Sequence, residues 1–420
     1  MAWLSGWSNR KSITLSRASG PVTNYQMKLL VGESSGATGE DVDCGGLCAA
    51  DFDDLRFTAA DGTTLLDYYI ESVSGATLNQ LATIWVEFDS IGKEATTFYM
   101  YYGKSDAEAV SSGVNTFQFF EDFNALNTAD LNGQNGWTAH ANFDVATTTK
   151  YEGAKAVTTA AGGATVQADH ALSGTWNIWA QVRVRTSSVA TAAVASFYLM
   201  ETAGANTGWG LGSSKFQNLY ASAWEDSGAG AAANDTWYKL RVAVDAKTTH
   251  KIWKDDSLIT PAHSSNLNTI VTTVNKIRLE HYSAGGNDFF DQIMVGQYLA
   301  TEPAWGSWGS QEDFTLTVDV GVAALSIKAW GVTSEGIAIV SLGVAGLVFE
   351  AFGITSNRFH ITMGNPRITG RKPRATVSAI RPSFNISGAT KPGAGMSASS
   401  PSFTLAPAKK PRATISMEGD

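Results

Sequence analysis

The chain has 420 residues and a formal net charge of −9; 16% of its residues are charged and 41 are glycine. This length predicts two or three domains, and the low charged fraction with many small residues favours a β-rich protein. No uncharged apolar run reaches the roughly 18 residues that a membrane-spanning helix needs. The first residues also lack the apolar core of a secretory signal.

The charge is unevenly distributed along the chain. From Pro366 onward there are nine Lys or Arg and two acidic residues, a balance of +7, so the preceding residues carry −16. This asymmetry predicts an acidic body and a basic tail. Because Phe384 and Phe403 are the only aromatic residues of the tail, bases would find few stacking platforms. We therefore expect the tail to dock on an acidic protein surface, without direct nucleic-acid binding.

Residues 1–115 are predicted to form a first β-domain. Ser12–Ser16 and Tyr25–Val31 alternate as its opening strands. Asp61-Gly62 predicts a two-residue hairpin turn, after which Thr64–Ile70 returns as the partner strand.

Three alternating runs place large or charged side chains on the face opposite the apolar one. In the first run, Ile84, Val86 and Phe88 share one face, while Trp85 and Glu87 share the other. Two later runs, Trp176–Arg185 and Trp237–Asp245, alternate in the same way. In the first of these, Trp179, Gln181, Arg183 and Arg185 share the face opposite the apolar one. The residues predicted to face inward there are Ile178, Ala180, Val182, Val184, Tyr238, Leu240, Val242 and Val244.

The segments DLRFTAADGTTLLDYYIES and TTFYMYYGK, with Trp7-Ser8-Asn9-Arg10-Lys11 near the start, resemble a domain-of-unknown-function family, DUF 2341, over residues 1 to about 115. The resemblance implies a β-sandwich of the kind found in bacterial, archaeal and phage-encoded surface or tail proteins, often followed by a lectin-like sandwich. The family has no established catalytic residues, so the resemblance implies no activity.

Residues 116–311 are predicted to form a second sandwich, because many alternating strands are separated by turn clusters and almost no helical period is present. The layout FFEDF … TWYKLRVAVD … IWKDDS … DFFDQIMV resembles a concanavalin-A-like, laminin-G-type lectin sandwich. Glu302–Glu312 is expected to close this module.

The remaining residues repeat. Val320–Ser334 aligns with Leu342–Ser356 at a period of 22, which defines a β-repeat region at 312–365, and Ile380–Ala398 aligns with Ser399–Met417 at a period of 19, within a Pro-punctuated tail at 366–420. Two arrangements are open: a monomeric solenoid or chains intertwined around a shared axis. The changing period favours intertwined chains, and hence a homo-oligomer, with a trimer as the specific expectation.

Cys44 and Cys48 lie in the segment DCGGLC. They are expected to be free thiols or to form a local disulfide, which the two intervening glycines would allow. Zinc is the third alternative, disfavoured because a four-ligand site needs further Cys or clustered His.

Three aromatic residues in a turn-rich stretch are the candidate sugar platforms: Trp209, Tyr220 and Trp224. A pyranose ring has apolar faces that stack on exposed aromatic rings, whereas a Trp in a sandwich more often packs over the core. No cofactor is expected apart from a structural calcium ion. Its candidate ligands are Glu121 and Asp122 on the first strand of the second domain and Asp288 and Asp291 on the last.

The sequence shows no pattern that places two catalytic carboxylates across a cleft. We therefore expect a non-enzymatic all-β protein: two jelly-roll-like sandwiches followed by a repetitive β-strand array. The favoured role is a phage tail, fibre or capsid-surface component that contacts other virion proteins and binds cell-surface glycan. The alternatives are a prokaryotic cell-surface adhesin that is extracellular, and a polysaccharide-degrading enzyme.

Overall fold

The structure is a computed structural model of the whole chain. It describes residues 2–17, 19–34, 36, 39–160, 165–175, 177–190, 195–201, 206–220, 223–245, 249–260, 273–282 and 286–320. Beyond residue 320 it describes the backbone of separate strands.

The first sandwich is built from eight strands and one short helix. They are β1 (Asn9–Ser16), β2 (Val22–Gly32), β3 (Val42–Asp43), β4 (Arg56–Thr58), β5 (Leu65–Leu66), β6 (Tyr68–Ser74), β7 (Leu81–Ile91), β8 (Thr96–Tyr102) and α1 (Gly113–Thr116). One sheet has the order β3-β2-β7-β6, and the other contains β1-β8-β4-β5. Ile84, Val86 and Phe88 of β7 are buried between the two sheets, as predicted.

The hairpin at Asp61-Gly62 exists but is wider than predicted. β4 pairs antiparallel with β5, and the loop closes through the backbone N–H of Ala59, which donates to the carbonyl of Thr64. The Asp61 carboxylate accepts from Thr63 and Thr64, and this replaces the two-residue turn. Because β6 pairs with β7 in the opposite sheet, the predicted returning strand is divided between the two sheets.

The second sandwich follows from residue 119. Its strands are β9 (Phe119–Glu121), β10 (Trp137–Ala139), β11 (Phe143–Ala146), β12 (Ala156–Thr159), β13 (Val166–Thr175), β14 (Ile178–Thr186), β15 (Ala195–Met200), β16 (Asn206–Gly212), β17 (Lys215–Tyr220), β18 (Ala223–Ala231), β19 (Tyr238–Asp245), β20 (Thr249–Lys254), β21 (Ser257–Ile259), β22 (Val274–His281) and β23 (Asp288–Gln297). One sheet has the order β10-β13-β22-β15-β16-β17-β18, and the other β11-β12-β23-β14-β19-β20-β21 with β9 beside β23. All eight residues predicted to face inward on β14 and β19 lie in the core between them.

The chain then returns to the first sandwich. β24 (Ala304–Trp305) and β25 (Glu312–Asp313) both pair antiparallel with β1. Gly306 and Gly309 donate backbone N–H groups to Thr14 and Ser12 of that strand. Glu302–Glu312 was expected to close the second module, but its strands pair with β1 of the first sandwich instead.

The physical reason lies in β1, which pairs with β8 on one edge and would leave its other edge unpaired. The returning segment covers that edge and packs Trp305 and Trp308 against the first core. The second sandwich is thus inserted between two parts of the first.

The repeats form two parallel sheets. Their strands are β26 (Thr315–Val320), β27 (Leu325–Trp330), β28 (Ile337–Leu342), β29 (Leu347–Phe352), β30 (Phe359–Met363), β31 (Arg367–Thr369), β32 (Ala375–Ala379), β33 (Asn385–Ser387), β34 (Gly395–Ala398), β35 (Thr404–Leu405) and β36 (Thr414–Met417). Even-numbered strands form one sheet and odd-numbered strands the other, and each strand pairs in parallel with the strand two further along.

This pairing of successive repeats within one chain is the solenoid arrangement, which the changing period had disfavoured. The register absorbs that change: Thr315 pairs with Ile337, 22 residues later, whereas Gly395 pairs with Thr414, 19 residues later. The strands shorten along the array, from six residues in β26 and β28 to four in β34 and β36, and successive coils still pair strand to strand. The two sheets continue across residue 366, where a separate tail was expected to begin.

The fold class is confirmed: apart from the short helix α1, the regular secondary structure of the described residues is β-strand, arranged as two sandwiches and a strand array. In that part of the chain, no helix has the length and apolar character required to cross a membrane.

Candidate functional site

The three aromatic residues predicted to bind sugar do not form one site. Trp209 is 0% exposed and packs in the second core, where its indole N–H donates to the carbonyl of Trp253. The prediction that Trp209 stacks on a sugar is therefore wrong, because its ring points into the core between the two sheets of the second sandwich. The side chain of Tyr220 lies outside the described residues. Trp224 is half-buried and meets Tyr198 edge to face, with ring centroids 5.5 Å apart.

The strands expected to hold calcium do pair, but the carboxylates of β9 meet other donors. Glu121 on β9 lies opposite Ile293 of β23. Its carboxylate accepts from the Phe123 backbone N–H and the Asn135 amide, both at 2.8 Å. Asp122 accepts from the backbone N–H of Asn124.

Asp288 and Asp291 are also engaged elsewhere. Asp291 accepts backbone N–H groups from Tyr151, Glu152 and Gln292, and Asp288 lies 2.7 Å from His281 Nδ1. Burial raises the pKa of Asp291 to about 7 and that of Asp288 to about 6. Among the described residues, no three His, Cys, Asp or Glu side chains are placed to hold one metal ion. The four predicted ligands are thus not gathered around a common point.

Cys44 and Cys48 are both free thiols, the first buried and the second half-buried. Burial raises the pKa of Cys44 well above its ordinary value, and the neighbouring Cys48 adds to the shift. The neutral thiol of Cys44 is therefore a member of the first core.

The outer faces of the two sandwiches meet, and this junction organises the candidate site. Trp85 of β7 and Trp179 of β14 both lie opposite their own cores, and their rings stack at a centroid distance of 5.0 Å. Gly296 pairs across from Trp179, and a Cβ atom there would lie 2.6 Å from the Trp179 ring. The Trp179 indole therefore packs directly on the backbone of β23, at a position where any side chain would clash with it.

One end of the junction is closed by a buried ion cluster around Glu71 of β6. Its carboxylate is 0% exposed and lies 2.9 Å from Lys239 Nζ and 3.3 Å from Arg183 Nη2. The Trp85 indole N–H and the Gln181 amide also donate to it. The acid comes from the first sandwich and both cations from the second, so the cluster joins them.

The electrostatics of Glu71 follow from these partners. Burial alone would raise its pKa, but Lys239, Trp85 and Arg183 together hold the pKa of Glu71 below its ordinary value. A buried carboxylate with four donors is ionised and satisfied. Trp85 donates its indole N–H to Glu71 at this closed end and also lines the open end of the junction.

At its open end the junction forms a cleft of about 490 Å³. Aromatic side chains from both sandwiches and from the returning segment line it: Tyr25, Trp85, Trp179, Trp253, Tyr298 and Trp305. Trp253 and Trp305 are half-buried, so part of each ring is open to a ligand. A concave, aromatic-lined space between domains, with a few polar groups, is a usual setting for ligand binding.

Arg241 of β19 is the central polar group of the cleft. Its Cζ lies 4.5 Å from the ring centroid of Trp253, 5.8 Å from that of Trp179 and 6.0 Å from that of Trp85. Its Nε is buried and has no hydrogen-bond partner, as is also true of the Tyr298 hydroxyl. Burial lowers the pKa of Arg241, although the guanidinium stays charged.

The sequence contained a signal for this cleft that composition alone did not reveal. Trp85 and Trp179 were each assigned to the face opposite the core, where a single sandwich would expose them to water. A large indole on that face of two different domains indicates that the faces cover each other. The contact between the two faces belongs to the tertiary structure, so the cleft itself could not be predicted from the sequence.

Comparisons with known proteins match parts of the chain. A family model described as "Domain of unknown function (DUF2341)" matches residues 51–140, which begins later and ends later than the resemblance found in the sequence. A comparison with curated protein sequences finds no match.

Several solved structures share part of the fold. "Cellulose induced protein, Cip1" is 14% identical, with 42% of this chain and 96% of that chain covered and a TM-score of 0.33. A carbohydrate esterase from Shiga toxin-encoding bacteriophage phi24B is 16% identical, with coverages of 44% and 99% and a TM-score of 0.34. A sialidase is 9% identical with a TM-score of 0.32 over 49% of this chain, which spans 20% of the sialidase.

Proposed function

We propose that the protein is a non-enzymatic carbohydrate-binding protein whose binding site is the cleft between the two sandwiches. The observation that carries this proposal is the pair of half-buried indoles, Trp253 and Trp305, that line the cleft beside hydrogen-bonding side chains. The C–H groups of a pyranose face stack on an indole, while its hydroxyls need donors and acceptors. Glu302, exposed at the rim of the cleft, can serve the hydroxyls.

Binding is favoured over hydrolysis by the composition of the cleft. Glycoside hydrolysis generally needs two carboxyl groups on opposite sides of the bond. Among the described residues that line the cleft, Glu302 is the only acid. A polysaccharide-degrading enzyme is the second candidate, and release of reducing sugar from a bound polysaccharide would establish it.

The test is a glycan array probed with the full chain. We expect saturable binding that Trp253→Ala weakens by roughly 1–3 kcal/mol, by analogy with the loss of one base-stacking aromatic, and that Trp253→Phe largely restores. Trp224→Ala, on the outer face of the seven-stranded sheet, is the matched control and should bind normally. Loss of binding in the Trp224 variant alone would move the site to that face.

The finer part of the proposal is a role on a phage virion, as a tail, fibre or capsid-surface component. The unequal charge of body and tail supports it, because a basic array can dock on an acidic virion protein. A prokaryotic cell-surface adhesin is the alternative location. Neighbouring genes for capsid, portal and tail proteins would favour the first, and genes for secretion the second.

We also propose that the chain forms a homo-oligomer, with a trimer as the specific expectation. Parallel pairing of β26–β36 within one chain leaves the outer strands of each sheet as candidate contacts between copies. Sedimentation equilibrium of the full chain at micromolar concentration measures the assembly directly. A monomeric mass would contradict the proposal and leave an isolated solenoid.

A further inference from the structure

Arg241 differs from Lys239 and Arg183, the two cations that contact Glu71, because within the described part of the chain it contacts no carboxylate. Lys239, two residues earlier on β19, contacts both Glu71 and Asp256, and Arg183 contacts Glu71. Among the described residues, no carboxylate lies within 4 Å of the Arg241 guanidinium. Three indoles surround it instead.

The acids nearest to Arg241 already have partners. Glu71 is held by Lys239 and Arg183, and Asp256 by Lys239 and by Lys28, the latter at 3.2 Å. Glu302 stands at the exposed rim of the cleft. Burial raises the pKa of the Tyr25 hydroxyl, and the charge of Glu302 and a hydrogen bond to it add to the shift. These three acids act on Arg241 through their charges, which favours its charged form, but none of them forms an ion pair with the guanidinium within the described part of the chain.

A buried cation that contacts no acid is costly, and part of the cost is recovered when an oxyanion reaches it. Aromatic rings cover the faces of a guanidinium and leave its N–H edges for bonding in the plane. The buried, unpartnered Nε of Arg241 is one such edge. A second cation, Lys251, lies in the cleft 5.6 Å from the centroid of the Tyr298 ring.

We propose that the cleft selects an acidic sugar, whose carboxylate or sulfate group is bound by Arg241 while its ring stacks on an indole. This inference rests on the proposed carbohydrate-binding function and adds the class of ligand. A carboxylate on a pyranose ring places two coplanar oxygens beside an apolar ring face. The guanidinium fork and the adjacent indole match these two features.

The test compares matched sugars on the full wild-type chain by titration calorimetry. The probes are oligosaccharides that contain uronate, the same oligosaccharides after reduction of the carboxyl group to a primary alcohol, and sulfated neutral oligosaccharides. We expect carboxyl reduction to raise Kd about tenfold or more, which corresponds to one charge-assisted pair. Binding of both anionic sets would show that charge suffices, whereas binding of the uronates alone would identify the carboxylate.

Substitutions then locate the anion. The Arg241→Gln variant should bind uronate-containing and carboxyl-reduced oligosaccharides equally. The Arg241→Lys variant should keep part of the preference for uronate, since it retains the charge but not the planar guanidinium. Arg185→Gln is the matched control, because Arg185 lies on the same sheet and is paired with Asp235; it should leave the preference unchanged.

The outcomes separate this inference from the function on which it rests. Equal binding of acidic and carboxyl-reduced sugars by the wild-type chain would overturn the inference and leave carbohydrate binding in place. No binding of any neutral or acidic sugar would overturn both. A preference for acidic sugar that survives Arg241→Gln would also overturn the assignment to Arg241.

Discussion

Buried cations have different neighbours at the two ends of the junction between the sandwiches. At the closed end, Lys239 and Arg183 surround Glu71, and hydrogen bonds from Trp85 and Gln181 complete its shell. At the open end, Arg241 lies against indoles, and in the described part of the chain no carboxylate comes within 4 Å of its guanidinium. The cleft lies beside it. The same sheet face therefore serves attachment at one end and offers unsatisfied bonding capacity at the other. A buried polar group without a partner calls for an explanation, and at the open end a ligand of Arg241 would supply one.

The largest effect is expected at the closed end. Glu71→Gln leaves Arg183 buried without its acid and Lys239 with Asp256 alone, so the free energy of unfolding should fall by about 3–5 kcal/mol. Since the folded-state pKa of Glu71 is lowered, its contribution is present at neutral pH and is lost as pH falls through the folded pKa. Denaturant titrations of both proteins at pH 7 and at pH 3 measure this, and the difference should shrink at the lower pH. An equal stability at pH 7 would contradict the attachment role.

A smaller effect is expected where the two ends meet. Gly296→Ala adds a methyl group 2.6 Å from the Trp179 ring, and overpacking of this kind costs about 1–3 kcal/mol. Displacement of Trp179 should also weaken sugar binding in the cleft. Gly92→Ala, whose added Cβ would have its nearest neighbour at 3.2 Å, is the control. If Gly296→Ala lowers stability but leaves binding intact, Trp179 does not shape the cleft.

The smallest effect concerns Glu87, on the same face of β7 as Trp85. Burial and the nearby Asp67 and Asp89 raise its pKa to about 7. An acid whose folded pKa is raised binds its proton more tightly when folded, so stability falls as pH rises from about 4 through 7. Glu87→Gln should therefore melt higher than wild type at pH 8 and equally at pH 4. This is opposite in sign to Glu71→Gln, and a lower melting temperature at pH 8 would contradict it.

The sequence predicted the parts of the fold that depend on local alternation. The inward faces of β7, β14 and β19 follow from their period of two, and all are buried as expected. The period could not show what covers an outward face. Trp85 and Trp179 were placed correctly on their strands, yet the cleft they line depends on two domains meeting. Trp209 was misassigned for a related reason, since a Gly-rich setting resembles an exposed turn but here belongs to β16, with its indole in the core.

The strand array shows a different limit. Its repeats were visible, but their unequal lengths suggested several chains, whereas the parallel register shows one chain stacking on itself. Repeat length measures strands plus loops together, and the strand pairing constrains the strands alone. Sequence reasoning had no means of separating the two.

The return of β24 and β25 to β1 has a consequence for synthesis. Arg10 on β1 bonds Glu312 on β25 across a separation of 302 residues. A ribosome adding about 5–20 residues per second needs roughly 15–60 s to produce that distance. During this time β1 has no partner on its outer edge, although the rest of its sheet can already form. The nascent chain therefore carries an open strand edge while the whole second sandwich emerges, and any factor that shields such an edge would act in that interval.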